Sequence, residues 1–324
     1  MKGSRQAGYA LLTVLGALAL IAIVASQFAA TMDEARKQVA ALQAEADGRV
    51  AAAGALAKAL HWLSTQPGGP DGFGQGAFRT IADGRVYELP GGARVAFQDQ
   101  QGLLSLNLGR REILSRFLEG LGASPGERDT LRDVLDDYID TDNLRRLNGA
   151  EAAQYAQAGL RAPRNDWLLS VHELAQMPGW TERMDWVHIM MKHASVRRSG
   201  FLNPNLMPVE LLRATFPGAS AEQLVLFDTL RQAGSFSNGS AARLATGLPF
   251  SHDDFIFHTS DEIAVVVWGT GMSRALQFQV WLSSGDPAAP WTVTEVHAVD
   301  LPPIGHVALP FPIAPAPDSV SRGF

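Results

Sequence analysis

The 324-residue chain contains no cysteine, and this absence excludes three classes of structure. Disulfide scaffolds, zinc sites built on thiolates and iron–sulfur clusters all need cysteine. Acidic residues outnumber basic ones, 33 to 27, so net charge offers no means of holding nucleic-acid phosphates. The composition, 46% hydrophobic and 19% charged, is that of a globular protein. We therefore expect a folded protein with no nucleic-acid partner.

Common catalytic motifs are absent as well. The sequence has no Gly-x-Ser-x-Gly elbow, no His-Glu-x-x-His pair and no phosphate-binding Gly-x-x-x-x-Gly-Lys loop. The eight histidines are scattered along the chain, and a lone histidine is more often structural than catalytic. We predict that the protein is not an enzyme, with no catalytic residues and no organic cofactor.

Charged residues are missing from the long segment 6–32. Its apolar core of about 22 residues would form a helix of roughly 33 Å, the thickness of a bilayer's hydrocarbon region. Lys2 and Arg5 precede it and Asp33 follows, so we expect a cytoplasmic N-terminus and a periplasmic bulk. A cleaved signal peptide would have a shorter apolar region. The segment therefore predicts one transmembrane helix.

An amphipathic pattern continues the same helix beyond the apolar segment. Apolar residues recur at three- and four-residue steps until the Pro- and Gly-rich run 67–72. We predict one helix over 9–65. Its apolar face would be shared between the protein's own sheet and partner subunits, with Val39, Leu42 and Leu56 as candidate partner contacts. The predicted face comprises Val39, Leu42, Ala46, Val50, Ala53, Leu56, Leu60 and Leu63.

The N-terminal residues resemble a known processing signal. A short basic leader ends at Gly8, and an aliphatic run starts at Tyr9. This resembles the class III signal of type IV pilins and of the pseudopilins of type II secretion. The resemblance implies that a prepilin peptidase cuts after Gly8, removes residues 1–8 and methylates the amine of Tyr9.

Thr13 would occupy the fifth mature position, where most of these proteins have a glutamate. That glutamate is understood to pair with the N-terminal ammonium of a neighbouring subunit, because a charge in an apolar filament core needs a partner. The minor pseudopilin K lacks this glutamate. Thr13 therefore fits a subunit at the end of a filament.

The middle of the chain carries a second resemblance. Segment 136–180 is similar to the most characteristic region of the K pseudopilin family, although Ala152 and Ala153 stand where the family often has another acid. Segments 98–109 and 201–218 resemble further family motifs, the first as a strand. The positions in 136–180 that match are Asp137, Tyr138, Ile139, Asp140, Asp142, Gly149, Ala150, Glu151, Tyr155, Asn165, Ser170, Val171, Glu173, Leu174 and Gly179.

Periodicity predicts the arrangement of strands and helices around this region. Alternating residues on both sides of Gly91 and Gly92 indicate a β-hairpin, and Ser124 with Glu127 forms a helix start signal. Alternation returns from Phe255 onward. We predict that strands before 108 and after 254 form one sheet around a helical insertion.

The fold expected from both arguments is α+β. It is a pseudopilin fold, in which the long N-terminal transmembrane and amphipathic helix packs on an antiparallel sheet that carries a large inserted all-α domain. The predicted boundaries are 1–8 for the leader, 9–65 for the helix, 66–108 and 251–300 for the two parts of the sheet, 109–250 for the insertion, and 301–324 for a proline-rich tail. We expect the tail, with six prolines, to be extended or disordered.

Acidic residues bunch where the second helix of the insertion should end. The helix dipole disfavours negative charge there, and calcium prefers carboxylate and carbonyl oxygens. Asp140, Asp142 and Glu151 are the best candidate ligands, with Asp137 and Asn143 as additions. A solvated acidic surface is the alternative. The family resemblance implies structural calcium in this domain.

The same loop does not fit an EF-hand. With Asp140 as the first position, Asp142 and Glu151 fall where ligands belong. Leu144 then stands at a ligand position, and Arg145 stands where the turn requires glycine. The sequence therefore predicts a calcium site of another kind.

The resemblance implies a mechanical function. A K pseudopilin sits at the tip of the type II secretion pseudopilus, where it starts and caps assembly with the minor pseudopilins I and J for export across the outer membrane. Other pseudopilins, the inner-membrane assembly platform and the prepilin peptidase would be further partners. The location would be the inner membrane, and then the pseudopilus tip. A minor pilin of a type IV pilus and a signal-anchored periplasmic protein are the alternatives.

Overall fold

The protein begins with one continuous helix, α1, over Ser4–Thr65, which is 62 residues long. The computed structural model describes residues 4–76, 78–250, 254–283, 285–286, 288–302 and 309–312, and residues 4–10 by their backbone alone. At 1.5 Å per residue α1 spans about 93 Å. Its end agrees with the prediction, but its start lies at Ser4 rather than Tyr9, within the segment predicted to be a leader. No proline stands in 4–9 to prevent the helical conformation.

Shorter helices occupy the middle of the chain. They all lie between residues 111 and 246 and are separated by loops and short 3-10 helices. The α-helices are α2 (Arg111–Gly120), α3 (Pro125–Ile139), α4 (Ala152–Gln157), α5 (Met184–His193), α6 (Val209–Thr215), α7 (Ala221–Ala233) and α8 (Gly239–Thr246). The 3-10 helices are Gln100–Gly102, Val171–Gln176, Thr181–Arg183 and Pro204–Leu206.

The strands lie on both sides of this helical region. They are β1 (Gly72–Gln75), β2 (Phe78–Ile81), β3 (Asp83–Glu88), β4 (Arg94–Asp99), β5 (Leu104–Ser105), β6 (Ala194–Ser195), β7 (Glu262–Trp268), β8 (Ala275–Leu282), β9 (Trp291–Val299) and β10 (Leu309–Pro310). Two short pairs, β1 with β2 and β5 with β6, stand apart from the main sheet.

The main sheet has six strands in the order β10-β3-β4-β7-β8-β9. Its pairs are antiparallel apart from β10 with β3. β4 pairs with β7 along its whole length, from Arg94 opposite Trp268 to Asp99 opposite Ile263. Strands from before and after the helical region therefore lie side by side, and the expected α+β fold is confirmed. The exact domain boundaries stay a prediction.

Small residues of α1 face the sheet. Ala52, Ala55 and Ala59 are buried. Gly48 lies so close to the turn between β7 and β8 that an added Cβ would be 2.6 Å from the carbonyl oxygen of Thr270. Glycine and alanine allow the helix backbone to approach the turn, which a larger side chain would prevent.

The predicted apolar face of α1 is buried against the protein's own sheet only in its C-terminal part, and the partner contacts at Val39, Leu42 and Leu56 stay a prediction. Leu60 and Leu63 are buried, but Val39, Leu42 and Val50 are exposed by 66%, 70% and 75%. The α1 backbone packs closely against the sheet through glycine and alanine. A pattern search based on large apolar residues does not detect these small residues. The other predicted positions are Ala46 and Ala53, which are exposed, and Leu56, which is half-buried.

The N-terminal half of α1 is long and apolar enough to cross a membrane. Its most apolar window has a mean hydropathy of 2.3, and none of that window is buried. Leu12, Ile21 and Phe28 are exposed by 74%, 64% and 63%. Exposed leucine, isoleucine and phenylalanine over such a length favour a lipid environment.

The helical region has its own hydrophobic core. Leu135, Tyr155 and Trp180 are fully buried, and the Trp180 indole N–H donates a hydrogen bond to the Leu131 carbonyl over 3.1 Å. The predicted helix start is confirmed: Ser124 Oγ accepts from the Glu127 backbone N–H, and Glu127 accepts from that of Ser124. This capped helix, α3, carries the acidic residues of the candidate site at its other end.

The predicted tail is extended at residues 309–312, where it packs against the sheet. β10 pairs in parallel with β3, and Phe311 is only 7% exposed. Its ring lies 5.4 Å from that of Trp62 and 6.4 Å from that of Tyr87. One buried aromatic ring anchors the segment, and local proline content does not reveal such a contact. Residues 303–308 and 313–324 of the predicted tail lie outside the described part.

The strand predictions are correct in part. The hairpin at Gly91 and Gly92 is confirmed as β3 and β4, and both glycines have positive φ. Segment 98–109 is wrong as a strand, since it forms a 3-10 helix and only the two-residue β5. Asp99 is fully buried and accepts hydrogen bonds from Gln101 and Ser260, so the chain turns there instead of extending.

Candidate metal centre

The acidic residues lie at the C-terminal end of α3 and in the loop that follows. Tyr138 on α3 is buried in the helical core, and its hydroxyl donates to Glu173 over 2.8 Å. α3 ends at Ile139, and the backbone N–H of the capping residue Asp140 still donates to the carbonyl of Asp136. The packing of α3 thus fixes where these carboxylates sit.

Three of the five predicted ligands meet in space. One carboxylate oxygen each from Asp140, Asp142 and Glu151 lies within 4.8 Å of the others. Glu151 stands just before α4 and is 6% exposed, and its backbone N–H donates to the side chain of Gln154 over 3.0 Å. The start of α4 therefore holds Glu151 against the end of α3.

Several oxygens around this cluster are buried and unpaired within the described part of the chain. They have no hydrogen-bond partner, although a buried polar atom normally has one. A cation bound among these oxygens would stabilise them in place of the missing hydrogen-bond donors, because it can be coordinated from several directions. These atoms are Asp140 Oδ1, both carboxylate oxygens of Glu151, Asn165 Oδ1 and the Tyr155 hydroxyl.

The ionised forms of these carboxylates are destabilised by burial and by mutual repulsion. Burial raises the pKa of Glu151, and the charges of Asp137, Asp140 and Asp142 raise it further. Burial also raises the pKa of Asp140, with a further contribution from Asp142. A bound divalent cation would reverse both effects, because it stabilises the ionised carboxylates. The donor set, made of oxygen atoms only, suits calcium.

Asp137, a predicted ligand, anchors the loop instead of joining the cluster. It is fully buried, and both of its oxygens accept from the backbone N–H of Arg146 at 3.2 Å. Gly149 is required beside it, because an added Cβ would lie 2.0 Å from Asp137 Oδ2.

Asn143, the fifth predicted ligand, points to a neighbouring amide. Its Oδ1 accepts from the side chain of Asn165 over 3.0 Å. Asn165 Nδ2 also donates to the backbone carbonyl of Asp142 over 2.6 Å, and Asn165 adopts a positive φ of 51°. Asn165 was matched as part of a motif but not predicted as a site residue. Its strained backbone holds a side chain across the loop.

Arg146 is a second site residue that the sequence did not predict. Its guanidinium lies 3.4 Å from Asp140, 3.4 Å from Asp137 and 3.8 Å from Asp136. It partly neutralises the acidic cluster from one side. The two consecutive arginines 145 and 146 looked alike in the sequence, and only the loop conformation separates them.

The processing residues lie at the start of α1. Gly8 and Tyr9 are in its first turns, and their side chains are outside the described residues. Thr13 is exposed on the apolar half of the same helix. The predicted cleavage, methylation and filament position stay predictions.

Residues 96–185 match the family model described as type II secretion system (T2SS), protein K. Over these residues the chain is similar to the type II secretion system protein K family. The resemblance stated from segment 136–180 is thereby confirmed. This K region begins in β4, contains all three clustered carboxylates and ends in α5.

Two known proteins are similar beyond the K region. A type II secretion system protein K from Klebsiella pneumoniae is 32% identical over 200 residues, which are 54% of this chain and 58% of that protein. The chain thus spans somewhat more than half the length of this relative. A chain in the crystal structure of the GspK-GspI-GspJ complex from the type 2 secretion system of enterotoxigenic Escherichia coli gives a TM-score of 0.49 at 15% identity, over 83% of this chain and 99% of that one.

Proposed function

We propose that this protein is the K minor pseudopilin of a type II secretion system and acts at the tip of the pseudopilus. The observation that carries the proposal is the match of the K region to the protein K family. The function is structural: the protein starts and caps the filament with the minor pseudopilins I and J, for export across the outer membrane. The complex named in the Escherichia coli structure makes I and J the natural partners to test.

Two features support a place at the tip. Thr13 stands at the filament position where a glutamate would pair with a neighbouring subunit. The helical region between β4 and β7 adds bulk that other subunits of a filament would have to accommodate. A subunit with both features accepts neighbours on one side only.

The apolar half of α1 supports anchoring in the inner membrane before assembly. Lys2 and Arg5 on its N-terminal side favour a cytoplasmic N-terminus and a periplasmic bulk. Prepilin peptidase would cut after Gly8 and methylate Tyr9. The mass of the N-terminal peptide from the native host tests this: an N-methylated Tyr9 is expected, and a cut beyond Ala25 would contradict the filament role.

Calcium completes the proposal as a structural ion of the helical region. Asp140, Asp142 and Glu151 would hold it, and the neighbouring Asn165 offers a fourth oxygen. The ion would join the end of α3 to the start of α4, because it draws on ligands from both. The ion would stabilise the loop and would have no catalytic role.

Assembly can be tested in membranes solubilised with detergent. The full chain should co-purify with minor pseudopilins I and J, and its removal from the host should abolish secretion until the gene is restored. Secretion that continues without it, together with co-purification of type IV pilus subunits, would favour the pilin alternative. If removal of the protein affects neither secretion nor pili, the remaining interpretation is a signal-anchored periplasmic protein.

A further inference from the structure

A second group of metal-ligating side chains joins the helical region to the edge of the sheet. Ser170 and His172 lie at the start of the 3-10 helix Val171–Gln176. Glu295 and His297 lie on β9, the last strand of the sheet order. Residues two apart on a strand point to the same face, so the glutamate and the second histidine present their side chains together.

The carboxylate of Glu295 is the centre of this group. Its Oε1 lies 2.8 Å from Ser170 Oγ, 3.9 Å from His172 Nδ1 and 3.8 Å from His297 Nδ1. The two imidazole rings are 4.8 Å apart, measured between their centroids, and are inclined by 77°. One nitrogen from the 3-10 helix and one from β9 thus each lie within 4 Å of the same carboxylate oxygen.

One of these nitrogens is left unsatisfied. His297 Nδ1 is buried and has no hydrogen-bond partner in the described part of the chain. A neutral imidazole with a free lone pair is the form that binds metal ions. Ser170 Oγ lies 3.0 Å from His172 Nδ1 and helps to orient that ring.

We propose that His172, Glu295 and His297 bind a divalent transition-metal ion, with zinc as the first candidate. Two imidazoles and one carboxylate form a donor set that zinc uses, whereas calcium takes oxygen ligands. Water would fill the fourth position. The bound ion would clamp the helical region to the edge strand of the sheet, where a hydrogen bond from Ser170 to Glu295 already joins them.

Binding of one ion requires the His172 ring to turn, so that both nitrogens and the carboxylate oxygen face the same point. In a tetrahedral zinc site with bonds of about 2.1 Å, a nitrogen and an oxygen ligand lie about 3.4 Å apart. Each nitrogen–oxygen separation therefore has to shorten by about 0.5 Å. The His172 side chain is 45% exposed, so it can turn toward the carboxylate without disturbing the core.

The test uses the full chain in detergent, purified without a histidine tag, and a zinc titration against a competing chelator dye. His172→Ala, His297→Ala and Glu295→Gln each remove one ligand, and the glutamine keeps an oxygen that can accept from Ser170. His188→Ala is the matched control, because His188 is exposed on α5. We expect one zinc per chain, about tenfold or more weaker binding for each ligand variant, and no change for the control.

Cobalt supplies a second measurement that does not depend on affinity. Co²⁺ in the same site should show the strong visible absorption of a four- or five-coordinate ion, and the ligand variants should lose it. Melting in the presence of chelator checks that each variant is folded. Ligand variants that bind zinc like the wild type, or a His188→Ala control that loses as much, would overturn the site and leave only adventitious surface binding. The calcium proposal is unaffected by either outcome, because the two sites share no residue.

Discussion

Calcium should stabilise this protein through the cluster of Asp140, Asp142 and Glu151. In the structure one oxygen from each of three carboxylates lies within 4.8 Å of the others, and five buried oxygens around this cluster have no hydrogen-bond partner among the described residues. At a free calcium concentration of about 100 times the dissociation constant, binding to the folded state alone adds about 2.7 kcal/mol to the free energy of unfolding. With an unfolding entropy of about 2.1 cal/mol/K per residue, this corresponds for a chain of 324 residues to a rise in melting temperature of about 4 °C.

The decisive variant is the double substitution Asp140→Asn and Asp142→Asn. It keeps the shape of both side chains but removes two charges from the ligand set. We expect it to abolish the calcium-dependent rise in melting temperature. Without calcium we expect its melting temperature to equal or exceed that of the wild type, because two repelling charges are gone. The assay is a thermal melt of the full chain in detergent, with calcium and with chelator.

A second double variant controls for net charge. Asp129→Asn with Asp185→Asn makes the same charge change at two exposed positions of the helical region. It should keep the full calcium response. A wild-type melt that is the same in calcium and in chelator would refute the site, and so would a calcium response that survives in the Asp140 and Asp142 variant.

The pH dependence follows from the raised pKa values of Asp140 and Glu151. A carboxyl whose pKa is raised by folding takes up protons more readily in the folded than in the unfolded state. The calcium-free protein therefore gains stability from these groups as pH falls from neutrality toward about 4, the ordinary range for carboxyls. Calcium needs the ionised form, so the difference between the two melting curves should shrink over the same range. Curves that stay parallel would contradict this reasoning.

Three further predictions concern individual residues. Arg146→Gln should tighten calcium binding roughly fivefold, or by about 1 kcal/mol, because it removes a competing cation beside Asp140. Arg145→Gln is the matched control. Equal effects of the two variants in a calorimetric titration would contradict a local role of Arg146. Gly48→Ala should destabilise the protein by about 1–3 kcal/mol in thermal melts, since the added Cβ would meet a backbone carbonyl. Gly54→Ala has open space around the added Cβ and should stabilise the protein by about 0.4–1 kcal/mol. Phe311→Ala should cost about 3 kcal/mol in denaturant unfolding, because its ring fills the core beside Trp62; a loss below about 1 kcal/mol would mean that the tail does not anchor there.

The residues that sequence reasoning interpreted correctly act through their neighbours in the chain. Ser124 and Glu127 cap α3 through contacts within one turn, and Gly91 with Gly92 forms the hairpin turn of β3 and β4. The absence of charge over 6–32 predicted the apolar half of α1. These signals depend on spacing alone, so no knowledge of the fold is needed to interpret them.

The residues that it missed act through partners far away in the chain. Asn165 meets Asp142 across the loop, and Ser170 meets Glu295 across 125 positions. On α1 the side that packs on the sheet includes Gly48, which lies against the turn between β7 and β8, whereas Val50 of the predicted apolar face is exposed.

The sequence by itself determined the class of this protein: a long apolar helix, an α+β body and an acidic loop within a K region. The helix, the body and the acidic loop follow from composition and local periodicity, and the K region follows from the family resemblance. Only the tertiary structure decided that Asp140, Asp142 and Glu151 converge while Asp137 holds the Arg146 backbone. It alone brought His172 and His297 together from separate segments. The physical reason is that ligand geometry depends on how α3, α4 and β9 pack, and packing is a property of distant contacts that no local pattern records.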